Sequence, residues 1–188
     1  MERIRQFFEQ SVQLTDEDWR IFSAHLVREE YPNKHQILEE GQTEDYLSFI
    51  QNGIIRFYIP REENDLTFSF TFEGQFVSAY DSFLTRRPST YRVETLSPTV
   101  LWRIHYEDLQ TIYSDSDIGQ TIGRLSAEDL FLKKSKRELS LLSETAEQRY
   151  LNLLTDQPDL IQNIPLKYIA SYIGITPQAL SRIRRRIY

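Results

Sequence analysis

The sequence predicts an α+β protein with helices first, then a β-sandwich or β-barrel, then a long helix, and last a pair of short helices. Three observations predict this order. Apolar residues recur at helical spacing before about residue 28 and again after His105. Between these regions, short runs rich in Tyr, Phe, Ile and Val alternate with turn signals. Residues 164–188 hold two apolar-periodic segments separated by Gly174.

The composition of the 188-residue chain excludes several classes of protein. No run approaches the roughly 20 apolar residues of a membrane span, and the first ten residues lack the apolar stretch of a signal peptide. We therefore expect a cytoplasmic protein without a membrane partner. Cysteine is absent, which excludes disulfides, thiolate catalysis and cysteine-ligated clusters. His25, His35 and His105 are scattered without metal-ligand spacing, so we expect no metal and no cofactor.

An enzyme is the least favoured class, because no nucleophile with a base, metal cluster or phosphate loop can be assembled from the sequence. The net charge of −6 is unevenly placed. Residues 1–143 contain 16 basic and 24 acidic residues, whereas residues 144–188 contain 6 basic and 4 acidic ones. An acidic body with a basic end predicts a small nucleic-acid footprint confined to that end.

The first 28 or so residues are predicted to form two helices. The first covers residues 1–9, and the second begins after Thr15, which is a typical N-cap followed by three acidic residues. Trp19, Phe22 and Leu26 follow at helical spacing and predict a packed face. Both helices are expected to have packing roles.

From about residue 31 the sequence predicts short strands. They are expected at residues 46–51, 54–59, 66–72, 91–96 and 99–104. Asn52-Gly53, between LSFIQ and IIRFYI, is the strongest hairpin signal in the chain. Several short strands with regular turns indicate a sandwich or barrel.

The helical period returns at residues 106–113 and then over about 117–142. In the longer helix, apolar residues stand near heptad spacing at Ile118, Ile122, Leu125, Leu132 and Leu139. This seam could pack on the chain's own barrel or on a second copy of the helix, and we favour the second copy. Another helix is expected from Ser143 to the polar segment that ends at Pro158.

The last segment predicts a helix-turn-helix, with helices at 166–172 and 177–187. Pro165 suits the start of the first helix, Gly174 its end, and Thr176-Pro177 the start of the second. Small Ala170 permits a close crossing, while Ile169, Ile173, Leu180 and Ile183 form the inward faces. The alternative is an amphipathic helical hairpin with a solvated basic end.

The outward residues of this segment suit DNA. Gln178, Ser181 and Arg182 are candidates for base contacts, because glutamine can pair with adenine and arginine with guanine through two hydrogen bonds. Lys167, Arg185 and Arg186 are candidates for phosphate contacts.

The order of elements resembles the cyclic-AMP receptor and FNR-type (Crp/Fnr) family of bacterial transcription regulators. The resemblance rests on YPNKHQILEEGQTEDYLSFIQNGIIRFYI in the first half and YIASYIGITPQALSRIRRR at the end. It implies a jelly-roll sensor barrel of the cyclic-nucleotide-binding type at residues 1–115. It further implies a long dimerisation helix at 116–142 and a helix-turn-helix DNA-binding domain at 143–188.

The barrel departs from family members that bind cyclic nucleotide. Where they have a Gly-Glu pair for the ribose, this chain has Ser78-Ala79, and where they have Arg-Ser for the phosphate it has Ser89-Thr90. A phosphodiester buried without an opposing charge is costly, so we do not expect cyclic AMP to bind. The candidate effector residues are Ser78, Ala79, Ser89, Thr90 and Arg92, and the effector is unknown. Arg86, Arg87 and Arg92 could substitute for the missing arginine, or could be exposed loop and strand charges.

The reading helix departs as well. The family pattern of Arg-Glu and a later Arg appears here as Pro177-Gln178 followed by Arg182, which predicts a different half-site. The sequence stops at Tyr188, so the β-hairpin wing usual in the family is expected to be absent, either naturally or through shortening.

Two functions follow from these features. The first is a homodimeric, sequence-specific DNA-binding transcription regulator that reads a pseudo-palindromic operator, with RNA polymerase as the implied partner. The alternative is a small-molecule or protein-binding sensor whose helix-turn-helix does not read DNA.

Overall fold

The computed structural model describes residues 1–115, 117–156 and 158–187. In several helical positions the backbone alone is described: Asp115, Asp117, Ile118, Ile122, Leu125, Ser126, Asp129, Asp159 and Leu160. Three members of the predicted apolar seam, Ile118, Ile122 and Leu125, therefore lie outside the described side chains.

Within the described residues the chain forms nine helices and eight strands, and only the broad order of helices, strands, long helix and short helices is the predicted one. The helices are α1 Glu2–Glu9, α2 Asp16–Ala24, α3 Tyr80–Thr85, α4 Tyr106–Asp115, α5 Asp117–Ser143, α6 Ala146–Asp156, α7 Pro158–Asn163, α8 Leu166–Ile173 and α9 Pro177–Ile187. The strands are β1 Val27–Tyr31, β2 Gln36–Leu38, β3 Tyr46–Asn52, β4 Ile54–Ile59, β5 Leu66–Phe72, β6 Phe76–Val77, β7 Arg92–Thr95 and β8 Thr99–His105.

The described strands form two four-stranded sheets, with the orders β1-β8-β3-β6 and β2-β7-β4-β5. In the first sheet β8 pairs antiparallel with both β1 and β3, so that Val27 and Ser48 stand opposite Arg103. The prediction of a mixed protein with a β-sandwich followed by helices is confirmed at this level.

The internal contacts of the chain divide it into two compact units. One consists of Met1–Arg56 with Phe70–Asp129, and the other of Phe57–Ser69 with Leu130–Tyr188. The second unit thus contains the turn between β4 and β5 in addition to the C-terminal helices. The three predicted domains stay predictions.

Aromatic and aliphatic side chains from α1, α2, α3 and α4 share a core with the first sheet. Thr15 begins α2 as predicted, because its hydroxyl accepts from the Asp18 amide while the Asp18 carboxylate accepts from the Thr15 amide. Phe8 stacks on Phe76 with ring centres 5.4 Å apart and meets Phe22 edge-on at 5.1 Å. Fully burying such a side chain contributes roughly 1.5 to 3 kcal/mol. The buried members of this core are Ile4, Phe8, Phe22, Phe49, Phe83, Ile104, Leu109 and Ile112.

Several elements depart from the sequence-based assignment. The helical stretch predicted up to residue 28 ends at Ala24, and Val27 already begins β1. β1 reads VREEY, which gives no apolar alternation, and it is a strand because β8 supplies its hydrogen-bond partners. β2, β6, α3 and α7 are not predicted by the sequence, since two to six residues are too few to display a period.

The predicted hairpin at Asn52-Gly53 is wrong. β3 lies in the first sheet and β4 in the second, so the strands on either side of the turn do not pair. Gly53 has a φ of 113°, and a Cβ built there would lie 2.3 Å from Thr99 Oγ1. The dipeptide therefore forms a corner between sheets, where glycine is required because the chain passes directly against Thr99.

Replacing Gly53 with Ala should lower the free energy of unfolding by at least about 2 kcal/mol, because strain at positive φ costs about 1 to 3 kcal/mol and the contact with Thr99 adds to it. Gly41→Ala is the matched control, since Gly41 also has a positive φ, 89°, but a Cβ at that position would have no atom within 4 Å. Urea unfolding of both variants measures the difference. Equal losses would contradict the close approach at Thr99.

Candidate functional site

The second unit ends in two helices, α8 and α9, whose relative position is fixed by a three-residue turn. Gly174 has a φ of 82°, and the Ile175 amide donates to the Ala170 carbonyl at 3.0 Å, an arrangement that ends α8 abruptly. Thr176 begins α9, since its hydroxyl accepts from the Ala179 amide at 3.2 Å. The glycine and threonine-proline signals in the sequence correctly locate these ends, with Pro165 as the N-cap of α8.

The inward faces predicted for the two helices are buried. Ile169, Ala170, Ile173, Leu180 and Ile183 expose no more than 6% of their surface. Ala170, fully buried, occupies the position where the sequence predicts a close helix crossing. Because the apolar face of α9 is held inward, its polar side chains have a fixed outward direction.

Those outward side chains form the candidate nucleic-acid interface. Gln178, Ser181, Arg182 and Arg185 are exposed on α9. The Ser181 hydroxyl donates to the Pro177 carbonyl at 3.0 Å and keeps its lone pairs available as acceptors. An open groove of about 570 Å³ runs beside the helix, and it is lined by Ala146, Ile175, Ala179, Arg182, Ile183, Arg185 and Arg186.

The other two candidate phosphate contacts differ in their surroundings. Lys167 is exposed on α8, with its ammonium 4.8 Å from the centre of the Tyr168 ring. Arg186 forms an ion pair with Glu147 on α6, with Nη2 and Oε2 2.9 Å apart. An exposed pair of this kind is worth at most about 1 kcal/mol, so it leaves the guanidinium able to exchange partners.

Two arginines that the sequence reasoning missed support the turn. Arg149 on α6 donates from Nε to the Ile173 carbonyl at 2.9 Å and from Nη1 to the Glu144 carbonyl. Arg137 on α5 donates to the Tyr172 carbonyl and stacks 3.6 Å from the centre of the Tyr172 ring. Burial lowers the pKa of Arg137, and the nearby Arg149 adds to this effect. No sequence signal marks these arginines, because the turn carbonyls that they bind, those of Tyr172 and Ile173, lie far along the chain.

The turn between β4 and β5 joins the same unit through α8. The Ser171 hydroxyl donates to the Asp65 carbonyl at 2.7 Å and accepts from the Thr67 amide at 2.8 Å. Arg137 Nε also donates to the Phe68 carbonyl at 3.4 Å. Residues 57–69 are therefore bonded to the first of the two helices.

The candidate effector residues of the barrel are mostly engaged within the protein. Ser78 donates to the Tyr46 carbonyl at 3.0 Å, and Ser89 donates to the Tyr91 carbonyl at 2.8 Å. Ala79 is fully buried, whereas Thr90 is exposed. Arg92 Nε lies 3.1 Å from the Glu39 carboxylate. No side chain of this set offers a buried positive charge for a phosphate.

Arg86, which could substitute for the missing arginine, is already bound by groups of the protein itself. It takes a left-handed backbone conformation at the end of α3, with a φ of 55°. Its guanidinium donates to the Glu44 carbonyl at 2.6 Å, pairs with Asp45 and lies 4.3 Å from the centre of the Tyr106 ring. Arg87 is exposed, in agreement with the alternative of a loop charge.

Further charged groups are buried in the first unit and were not singled out from the sequence. Arg56 pairs with Glu94 at 2.7 Å, and the carboxylate also accepts from Gln36 at 3.1 Å. Arg103 donates to Glu29 at 2.8 Å and to the Tyr31 hydroxyl at 2.6 Å. Burial and the hydrogen bond to Glu29 raise the pKa of Tyr31 to about 12. Within each pair the arginine and the carboxylate neutralise each other, so little net charge remains for a ligand.

Among the described residues, no group of histidine and acidic side chains could hold a metal ion. In the same part of the chain, no helix combines the length and apolar character needed to cross a membrane.

Comparison with known proteins shows a likeness to one domain family and to the fold of several solved structures. Residues 28–116 match the family model of the cyclic nucleotide-binding domain. No curated protein sequence matches the chain.

Solved structures of bacterial regulators share the fold. CLP, a c-di-GMP-responsive global regulator from Xanthomonas campestris, is 16% identical with a TM-score of 0.70, over 92% of this chain and 91% of CLP. A Crp/Fnr-family transcriptional regulator from Eubacterium rectale is 17% identical with a TM-score of 0.73, over 92% and 83% of the two chains. FixK2 from Bradyrhizobium japonicum is 15% identical with a TM-score of 0.72, over 86% and 84%. The resemblance seen in the sequence is confirmed by these matches, which at such identities show the fold.

Replacing Arg149 with Met should lower the free energy of unfolding by about 1.5 to 3 kcal/mol, because methionine keeps the aliphatic stem but removes charged donors from backbone carbonyls. Arg124→Met is the control, since Arg124 pairs with exposed Glu128 one helical turn away. Thermal and urea unfolding compare the two variants. A loss at Arg149 no greater than that at Arg124 would show that the guanidinium does not secure the turn.

Proposed function

We propose that this chain, which carries a cyclic nucleotide-binding domain on the fold of the Crp/Fnr transcription regulators, is a sequence-specific DNA-binding regulator that acts as a homodimer. The observation that carries the proposal is the exposed row of Gln178, Ser181, Arg182 and Arg185 on α9. The buried inner face and the capped turn hold this row on a rigid support, which is what base recognition requires.

In this proposal α9 enters the major groove. Gln178, Ser181 and Arg182 contact base edges, with Arg182 pairing with guanine through two hydrogen bonds. Lys167, Arg185 and Arg186 contact phosphates, and Arg186 exchanges Glu147 for a phosphate oxygen when DNA binds. The acidic remainder of the chain repels DNA, so binding is confined to this end.

A second copy is needed to read a two-fold operator, and α5 offers a surface for it. Four apolar side chains expose between 62% and 79% of their surface: Phe131, Leu132, Leu139 and Leu142. At 3.6 residues per turn they fall within about 100° of arc on one side of the helix. Since monomeric proteins rarely expose such a stripe, it supports a helix-to-helix dimer seam. Two α9 helices would then contact half-sites about 34 Å apart.

The barrel of the proposed regulator does not take cyclic AMP, and its effector is unknown. Ser89 and Ala79 stand where the resemblance places an arginine and a glutamate in nucleotide-binding members, and both are buried within the protein. RNA polymerase is the further partner that a regulator of this fold implies.

Replacing Arg182 with Ala should weaken binding to the preferred operator by about 1 to 3 kcal/mol for each half-site and relax the preference at one base pair in each half-site. Fluorescence anisotropy on the operator and its single-base variants measures both effects. Equal weakening on all duplexes would contradict the role in base recognition.

The matched comparison is Arg185→Ala, one phosphate contact in the same helix. This variant should weaken binding to all sequences alike and reduce the slope of log K against log salt by about 0.9 for each half-site, or about 1.8 for the dimer. A change in base preference in the Arg185 variant would contradict the assignment of Arg185 to a phosphate and of Arg182 to a base.

Replacing Leu139 with Asp should convert the dimer into monomers, because it places a charge in an apolar seam. Sedimentation equilibrium measures the mass, and far-ultraviolet circular dichroism checks that the helices remain. Leu84→Asp is the control, since Leu84 is also exposed but lies on α3. A Leu139 variant that remains dimeric would place the dimer contact elsewhere.

A further inference from the structure

The groove beside α9 contains an apolar strip that the proposed base and phosphate contacts do not use. Its lining comes from the turn before α9, from α9 itself and from the start of α6, all within the second unit. Ile175, Ala179 and Ala146 are partly exposed there. Ile183, which exposes 6% of its surface, completes the apolar lining. These side chains remain accessible to a molecule that binds against α9.

Two backbone hydrogen bonds fix the positions of Ile175 and Ala179. The Ile175 amide donates to the Ala170 carbonyl at 3.0 Å, and the Ala179 amide donates to the Thr176 hydroxyl at 3.2 Å. The methyl group of Ala179 has no alternative rotamers, so its direction follows from the backbone alone. A contact made by Ala179 therefore costs no side-chain entropy.

Ala179 lies at the border between the outward face of α9 and its packed face. At 3.6 residues per turn it stands about 60° from Arg182 on one side and about 40° from Ile183 on the other. Arg182 is exposed, whereas Ile183 is buried. Ala179 also belongs to the first turn of α9, and the N-terminal residues of a recognition helix are those that contact base edges. Its methyl group thus lies beside the side chain proposed to read guanine.

The rim of the groove is positively charged. Arg182, Arg185 and Arg186 are exposed along it. Glu147 pairs with Arg186 at 2.9 Å, so the three guanidinium groups outweigh this carboxylate and favour an anionic partner. An apolar strip beside such a rim fits a polyanion that also presents an apolar group.

Duplex DNA has this combination at thymine. Base edges in the major groove present hydrogen-bond donors and acceptors, and thymine adds a C5-methyl group that alanine can contact. We infer that Ala179, together with Ile175, contacts the C5-methyl group of a thymine in each half-site and makes the protein select thymine at that base pair. The inference rests on the proposed DNA-binding function and adds a specificity-determining residue to it.

Replacing thymine with deoxyuridine in the selected operator tests the inference with the wild-type protein, since the two bases differ only in the C5-methyl group. Fluorescence anisotropy compares operators in which each thymine of a half-site is replaced in turn. At one position the dissociation constant should rise about fourfold, and about fifteenfold when both half-sites are changed, as expected for one buried methyl group in each. Thymines outside the half-sites are the reference and should be insensitive to the replacement.

Ala179→Gly connects the methyl effect to this residue. The variant lacks the Cβ, so it should bind the thymine and deoxyuridine operators equally, although glycine also weakens binding to both by destabilising the first turn of α9. Ala179→Ser places a hydroxyl against the methyl group and should lower the ratio of the two affinities as well. Arg185→Ala is the control, because the loss of a phosphate contact should weaken binding to both operators and leave their ratio unchanged.

A selected half-site without thymine, or equal affinity of the wild-type protein for the thymine and deoxyuridine operators, would overturn the inference and leave the groove to a different partner, such as an acidic peptide. A thymine preference that persists in both Ala179 variants would also overturn it, because the methyl group would then act through the shape of the DNA. These results leave the proposed function standing, since it requires only a preferred sequence. Recovery of no preferred sequence would refute the proposed function and the inference with it.

Discussion

The direction of α9 depends on how the last carbonyl groups of α8 are satisfied. A helix leaves its final four carbonyls without partners inside the helix, and an exposed end of this kind frays. Here each has a donor: Ile175 for Ala170, Gly174 for Ser171, Arg137 for Tyr172 and Arg149 for Ile173. Two donors come from the turn itself and two from other helices. The turn is therefore fixed both locally and to the body of its unit.

This fixed end explains why a single glycine and two distant arginines matter to the proposed site. Gly174 supplies the backbone conformation, and the guanidinium groups supply donors that no backbone amide can reach. The apolar faces of α8 and α9 then determine which side of α9 remains in water. Arg182 and Arg185 point outward as a consequence of packing, and their charge is conspicuous because residues 1–143 are acidic.

The sequence predicted those features that are encoded within a few neighbouring residues. Thr15, Gly174 and Thr176-Pro177 mark helix ends through their own side chains and dihedral preferences, and each lies where expected. The hairpin prediction at Asn52-Gly53 is wrong because a glycine can stand in a hairpin turn or at a corner between sheets. Only the contact with Thr99 distinguishes the two. β1 was missed since its strand state depends on β8, about seventy residues away.

The same division applies to the candidate site. The outward residues of α9 follow from helical spacing, whereas Arg137 and Arg149 have roles that exist only once distant segments meet. Position along the chain alone makes Ser78 and Ser89 effector candidates, whereas in the structure each hydroxyl donates to a backbone carbonyl. Side-chain identity alone does not reveal whether a polar group is available to a ligand.

Selection of bound sequences from a pool of random DNA duplexes tests the central claim, that α9 reads DNA as part of a two-fold pair. The account predicts enrichment of a pseudo-palindrome whose half-site centres lie one helical turn, about 34 Å, apart. Recovery of duplexes without a shared sequence, with retention that disappears as salt is raised, would contradict specific reading and would reduce the basic end to a non-specific electrostatic surface.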